Sequence, residues 1–280
     1  MERLDRLGWT AEVAFESYGI RIGVRVNRPE TLEHLTTLFP PGWRPSPGPV
    51  VDWLFSLLVG ETQGRVRKFH MLYAGITRRA RTLDLEAALD TLEADLRQIV
   101  AAHARRRVFV HAGVVAWGDQ AILIPGRSRS GKTTLVHELV RAGAVYYSDE
   151  FAVLDSAGRV FPFAKPLSLR EGDGIRRCRA EELGGVSGGP PLRVSAVILT
   201  EHRAGARWRP ARQSAAAGLL ALLGHAVPIR LRPEPTLSAL EKVVSRAAIL
   251  KGPRGEAEPT ARLILERAAD WGRGAVARAG

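Results

Sequence analysis

Cysteine is almost absent from this 280-residue chain. The single thiol, Cys178, excludes an internal disulfide and any metal centre built from several cysteines. That usage fits a reducing compartment such as the cytoplasm. No run of about 18 apolar residues occurs, so no membrane span is expected. The opening Met1-Glu2-Arg3-Leu4-Asp5-Arg6 has no apolar stretch of the signal-peptide kind, so secretion is not expected. His34, His70, His103, His137, His202 and His225 lack metal-ligand spacing and read as structural. Lysine is rare as well: Lys68, Lys132, Lys165, Lys242 and Lys251 are the whole set. The formal charge of +12 therefore rests on arginine. The arginines are scattered, and only Arg105-Arg106-Arg107 forms a tight run. It sits at the end of an expected helix, where cations suit the dipole. With aromatics at 6%, no basic stretch is interleaved with them, and nucleic acid is not an expected partner.

What the chain does have is an apolar content of 45%, enough for a sizeable core in one large or two modest domains. It also has Gly126-Arg127-Ser128-Arg129-Ser130-Gly131-Lys132-Thr133, which matches the phosphate-binding pattern G-x-x-x-x-G-K-S/T. The two glycines let the backbone curl so that successive N–H groups face phosphate oxygens. Lys132 adds a point charge, and the Thr133 hydroxyl can ligate Mg²⁺. The flanks suit the motif. Ala121–Ile124 reads as a short buried strand. Leu135, Leu139 and Val140 recur at helical spacing through Thr134–Ala142, with Gly143 as a stop. The helix N-terminus would add partial positive charge to the anion site.

Elsewhere, residues 11–26 read as two strands around Ser17-Tyr18-Gly19. Pro29 to Leu38 reads as a short helix with Asn27 as its cap. Pro40–Pro49 reads as an irregular loop. Val50–Val59 and Val66–Tyr73 read as strands joined at Gly60–Gly64. Asp84 to Ala104 is the clearest helix, with Leu85, Leu89, Leu92, Leu96 and Ile99 at steps of three and four and Asp84 as cap. Val108–Trp117 and Gln120–Ile124 read as a hairpin leading into the phosphate loop. Later strands are expected at Val145–Tyr147, Phe151–Leu154, Arg159–Phe163, Val194–Leu199 and Ala247–Leu250. Later helices are expected at Arg212–Leu223, Thr236–Arg246 and Pro259–Ala269. No internal repeat is visible.

Three further features carry chemistry. Ser148-Asp149-Glu150 closes an apolar strand about one helix and a turn after Lys132. Of two adjacent acids, one can hold Mg²⁺ while the other accepts a proton from an attacking hydroxyl; the plainer reading is a turn with solvated acids. His111 lies in an apolar strand, where a lone His is commonly a hydrogen-bonded core residue. The next strand ends at the phosphate loop, so contact with a phosphate oxygen stands as the other reading. In Lys165–Gly172, Lys165 and Arg170 are candidate phosphate clamps or charges bordering a loop.

His111, Gly126–Thr133 and Asp149-Glu150, in this order and spacing, resemble the catalytic domain of the bacterial HPr kinase/phosphorylase family. That family has an aliphatic-His-Gly strand, a hairpin, a G-x-S-G-x-G-K-S loop, one helix and an acid pair. The resemblance covers residues 105–180 well and extends less closely to 265. Lys165–Gly172 looks typical of divergent relatives encoded in bacterial gene clusters, some of which phosphorylate serine on small ribosomal peptides such as lasso peptides. The resemblance implies an α/β fold with a phosphate-loop core akin to phosphoenolpyruvate carboxykinase. It implies ATP and Mg²⁺ as cofactors. Lys132 and the loop from Gly126 through Arg127, Ser128, Arg129, Ser130, Gly131 and Thr133 to Thr134 would hold nucleotide, with Arg170 assisting. Thr133, Asp149 and Glu150 would hold Mg²⁺. Asp149 would be the base, and His111 would sit beside the transferred group. The chain departs from the family at Arg129, where a Gly is usual, and at Glu150, where an Asp is usual. The family's later phosphorolysis motif has no evident counterpart.

The expectation is a Mg²⁺/ATP-dependent kinase acting on a serine hydroxyl of a protein or peptide. Its kinase domain would span 81–270, and a small α+β module at 1–80 would bind substrate or partner. A homo-oligomer is compatible with the family. Two rivals remain at this point: a kinase of a small metabolite such as free serine, and a non-catalytic nucleotide-sensing module.

Overall fold

The computed structural model describes residues 2–63, 66–126, 130–171 and 174–276. The chain divides into two compact units, residues 1–106 and 107–280. The first unit begins with α1 (Glu2–Asp5), β1 (Ala11–Ser17), β2 (Ile20–Val26), α2 (Thr31–Leu35), β3 (Arg44–Pro45) and β4 (Trp53–Leu58). It continues with the short ribbon β5 (Thr62–Gln63) and β6 (Val66–Arg67), then β7 (His70–Ala74), β8 (Thr77–Thr82) and α3 (Leu85–His103). Tyr18 and Gly19 both take positive φ, 51° and 82°, which is the two-residue turn that matches strand twist in a hairpin. The six-stranded sheet runs β3-β1-β2-β4-β7-β8. Its core gathers Phe15, Ile22, Val24, Phe55, Leu57, Leu72, Leu92 and Leu96, all excluded from water.

Several expectations for this unit change. Asn27 does not cap a helix. Its amide donates to the Val59 carbonyl (3.1 Å) and accepts from the Val59 N–H (2.7 Å), an extra rung beside β2 and β4. The helix begins only at Thr31 and passes into a 3-10 turn at Thr36–Leu38. The strands expected at Val50–Val59 and Val66–Tyr73 are shorter than read, because β5 and β6 form their own ribbon between them. β8 went unread: its Arg-rich stretch has no apolar alternation to betray it. The helix from Asp84 holds, with the Asp84 carboxylate accepting from the Glu86 N–H. It packs on β7 and β8, so the compact unit extends beyond residue 80 to Arg106.

The second unit contains β9 (Val108–Trp117), β10 (Gln120–Pro125), α4 (Lys132–Arg141), β11 (Val145–Ser148), β12 (Phe151–Leu154) and β13 (Arg159–Phe161). The hairpin β14 (Leu167–Glu171) and β15 (Gly174–Cys178) follows. Then come β16 (Leu192–Leu199), β17 (Ala211–Gln213), α5 (Ala215–Leu223), α6 (Pro233–Val244), β18 (Ala248–Lys251) and α7 (Ala257–Val276). The mixed sheet runs β10-β9-β12-β13-β16-β18-β17, and β10 also pairs in parallel with β16. Period-two alternation along β10 decides the two faces. Ile122 and Ile124 join Leu135, Leu139, Ala261 and Ile264 of α4 and α7. Ala121 and Leu123 join Leu222, Leu240 and Val243 of α5 and α6. The result is one sheet with helices on both faces.

The same alternation orients β9. Val108, Val110, Ala112, Val114 and Ala116 face α5 and α6. His111, Gly113 and Val115 lie on the other side, toward α4. A Cβ on Gly113 would stand 2.5 Å from a Val136 methyl, so glycine here is what lets α4 lie close on β9. Among the described residues, no helix is long and apolar enough to cross a membrane.

Candidate functional site

The site grows from two adjacent residues on β9. The His111 carbonyl accepts from the Gly126 N–H at 3.2 Å, tying β9 to the start of the expected phosphate loop. The Ala112 N–H donates to the Glu150 carbonyl at 3.1 Å, tying it to the acid turn. One strand thus brings together two segments that lie 15 and 39 residues beyond His111.

Arg127, Ser128 and Arg129 lie outside the described residues. The ends of the loop are described. A Cβ on Gly126 would lie 2.7 Å from Ser130 Oγ and 3.3 Å from Lys132 Cδ, so the two ends converge tightly. Gly131 caps α4 with φ 79° and ψ 15°, a left-handed conformation that glycine adopts at low cost. Lys132 is the first residue of α4, two positions earlier than the periodicity indicated, and Thr133 and Thr134 follow in the first turn. Burial pushes the Lys132 ammonium below its usual range, against the opposing pull of Asp149 and Glu150. Burial also lowers the His111 imidazole, and Lys132 lowers it further while Glu150 pulls it up. These mutual influences put His111, Lys132, Asp149 and Glu150 in one electrostatic neighbourhood.

The acid turn has its own local cause. Ser148 Oγ accepts from the backbone N–H groups of Glu150 (3.1 Å) and Phe151 (3.0 Å), which bends the chain between β11 and β12. Asp149 is 6% exposed. Its Oδ1 lies 3.0 Å from the Tyr146 hydroxyl, which also lies 2.9 Å from the Lys165 carbonyl. Lys165 Nζ stands 3.3 Å from Glu150 Oε2 and 4.0 Å from Asp149 Oδ1. Burial and the Asp149 carboxylate push the Tyr146 phenol well above its usual range, so it stays a neutral donor. Lys165 therefore meets the acids. The Arg170 side chain lies outside the described residues; its backbone pairs with Ile175 in the β14–β15 hairpin, an element without a signal in the sequence.

Two contributors had no sequence signal. Tyr146 looked like an ordinary strand residue. Arg254 follows β18, is 3% exposed, and donates from Nη2 to the Gly131 carbonyl and from Nη1 to the Gly255 carbonyl, both at 3.0 Å. A Cβ on Gly131 would fall 2.5 Å from its Nη2. The Gly252-Pro253-Arg254-Gly255 punctuation marks a turn, but nothing local points to a partner 123 residues away.

The residues fit a nucleotide and Mg²⁺ on two counts, while a Cβ at Gly126 or Gly131 would meet Ser130 Oγ or Arg254 Nη2 rather than open space. The Lys165 ammonium already stands between the two carboxylates as a cation. Asp149 and Glu150 offer hard oxygen donors, the kind Mg²⁺ prefers. Among the described residues there is no cluster of three or more His, Cys, Asp or Glu suited to a metal. Two carboxylates are what Mg²⁺ commonly takes from protein when phosphates supply the rest.

The fold and site are those of a mixed α/β protein with a glycine-bounded turn at a helix N-terminus facing an acid pair. No family model matches the chain, and no curated protein matches it. Among solved structures, the Hpr(Ser) kinase/phosphatase from Coxiella burnetii is similar over 59% of this chain and 98% of its own, at 16% identity and a TM-score of 0.36. A likeness of that depth fixes neither family nor activity.

Proposed function

We propose that this chain is a Mg²⁺/ATP-dependent kinase that transfers the γ-phosphoryl group to a serine hydroxyl of a protein or peptide. The observation that carries the reading is the double tether on β9, which holds Gly126 and Glu150 to neighbouring residues. The loop from Gly126 to Thr134, with Lys132 and the α4 N-terminus, is the anion-binding half. Thr133, Asp149 and Glu150 are the metal-binding half. Bound Mg²⁺ would neutralise charge on the phosphates. Asp149, held by Tyr146, takes the proton of the acceptor hydroxyl as its oxygen attacks in line. Lys132 and the loop amides balance the charge that shifts toward the leaving phosphate. His111, whose affinity for a proton burial lowers, would hydrogen-bond the transferred group. The first unit is left for recognition of the acceptor.

The test is a pair of variants. Lys132→Ala should lose both nucleotide binding and transfer. Asp149→Asn should retain nucleotide binding and lose transfer by ~10²-fold or more. Normal transfer by Asp149→Asn would remove the base assignment. Turnover of free serine without any peptide would replace the protein or peptide acceptor by a metabolite.

A further inference from the structure

We propose that Lys165 is a built-in counter-cation of the Asp149–Glu150 pair. It keeps a lone divalent ion out of the acid turn until nucleotide phosphates arrive to draw the ammonium away. The inference rests on reading the acid pair as a cation site, as above, but it assigns Lys165 a role in the order of binding.

The geometry is built rather than incidental. One ammonium serves two carboxylates, at 3.3 Å and 4.0 Å. The Lys165 and Asp149 side chains are only 15% and 4% exposed, so solvent screens the contact far less than it would a surface pair. The backbone of Lys165 is fixed from both sides. Its carbonyl lies 2.9 Å from the Tyr146 hydroxyl, whose single proton is shared between that oxygen and Asp149 Oδ1. Pro166 follows and favours an extended Lys165. Leu167 is then buried in the core formed with Leu135 and Leu139 of α4. What can move is the four-carbon stem and its charged head.

Charge balance supplies the consequence. Two carboxylates face two ammoniums, since Lys132 acts on both acids as well as Lys165, so the cluster holds no surplus negative charge for a lone divalent ion. A divalent ion entering alone must expel the Lys165 ammonium into a poorly solvated space or accept it as a like-charged neighbour. A metal entering with polyphosphate meets neither obstacle, because phosphate oxygens ligate the metal and attract the displaced ammonium. Metal and nucleotide therefore bind with positive coupling, and by linkage each favours the other.

Mn²⁺ binding to the full-length, nucleotide-free protein, read by electron paramagnetic resonance, tests this. Removing a unit positive charge that stands 3.3 Å and 4.0 Å from the carboxylates takes away a like-charged competitor, so Lys165→Gln should bind Mn²⁺ at least about tenfold more tightly than wild type. Lys165→Arg should stay near wild type, and adding Asp149→Asn to Lys165→Gln should abolish the gain. Equal Mn²⁺ affinity of wild type and Lys165→Gln would overturn the proposal. Should Lys165→Gln fail to fold, wild-type crystals soaked in Mn²⁺ without nucleotide decide. Lys165 between the carboxylates with no metal there supports the proposal, and a metal bridging Asp149 and Glu150 overturns it. Nucleotide binding by the wild type is measured separately: its failure would remove the kinase reading and leave the Mn²⁺ result standing.

Discussion

Gly113 offers a direct way to test whether the fit of α4 on β9 sets the site. In Gly113→Ala the new methyl would stand 2.5 Å from Val136 Cγ2, where ordinary contact is 3.4–4 Å. Roughly 1 Å must therefore open between strand and helix, because a β-branched side chain in a helix has one strongly preferred rotamer and cannot swing aside. Overpacking of this kind costs about 1–3 kcal/mol. Val136→Ala alone removes two buried methyls and should cost about 2 kcal/mol. In the double variant the added methyl occupies the vacated space, so the two costs should not add. A coupling of about 2 kcal/mol is expected from urea unfolding of the four proteins. The proposed transfer reaction should follow the same pattern, since a 1 Å misplacement can cost ~10²-fold in rate. Gly113→Ala should be slow, and Val136→Ala should restore it. Additivity within about 0.5 kcal/mol would show that this contact does not set the spacing.

The buried His111 makes stability depend on pH. Its folded pKa lies below the usual 6.5, so below pH 6.5 the unfolded chain takes up the proton first and the folded state loses ground. His111→Gln should remove that part of the slope, so the wild type should lose stability relative to the variant as pH falls through this window. Parallel stability–pH curves for the two would contradict it. Arg254→Met removes two charge-assisted hydrogen bonds to buried carbonyls and should cost about 2–4 kcal/mol in urea unfolding. Arg254→Lys should recover less than half, because a single ammonium does not reproduce the fork that spans Gly131 and Gly255. Wild-type stability in Arg254→Met would mean that the Gly131 turn holds itself.

Much of the second unit was legible in the sequence because its signals are local. The strand Ala121–Ile124, the glycines at 126 and 131 and the leucines of α4 obey short-range rules of burial, φ and period. The helix from Asp84 was legible for the same reason. What escaped depended on partners far along the chain. Asn27 has the chemistry of a cap, but Val59 supplies a paired donor and acceptor that occupies it. Thr77–Thr82 forms a strand because β7 offers a free edge, although its own residues alternate poorly. Arg254 and Tyr146 enter the site through contacts with Gly131 and Asp149 that no spacing rule encodes.

The charges of the second unit explain why those distant residues matter. Lys132, Arg254 and the N-terminus of α4 concentrate positive potential on one side, and three such contributors repel one another when buried. Arg254 donates to two carbonyl oxygens, and the Glu256 carboxylate is the acid whose charge acts on it. On the other side Asp149 and Glu150 concentrate negative charge, which Lys165 offsets in part. Burial lowers the affinity of Lys132 and His111 for protons, and the neighbouring acids oppose that pull. Under the proposed function, a polyphosphate would complete that side and a cation the other. The β9 tethers hold the loop start and the acid turn next to each other, which suits a ligand carrying both signs of charge.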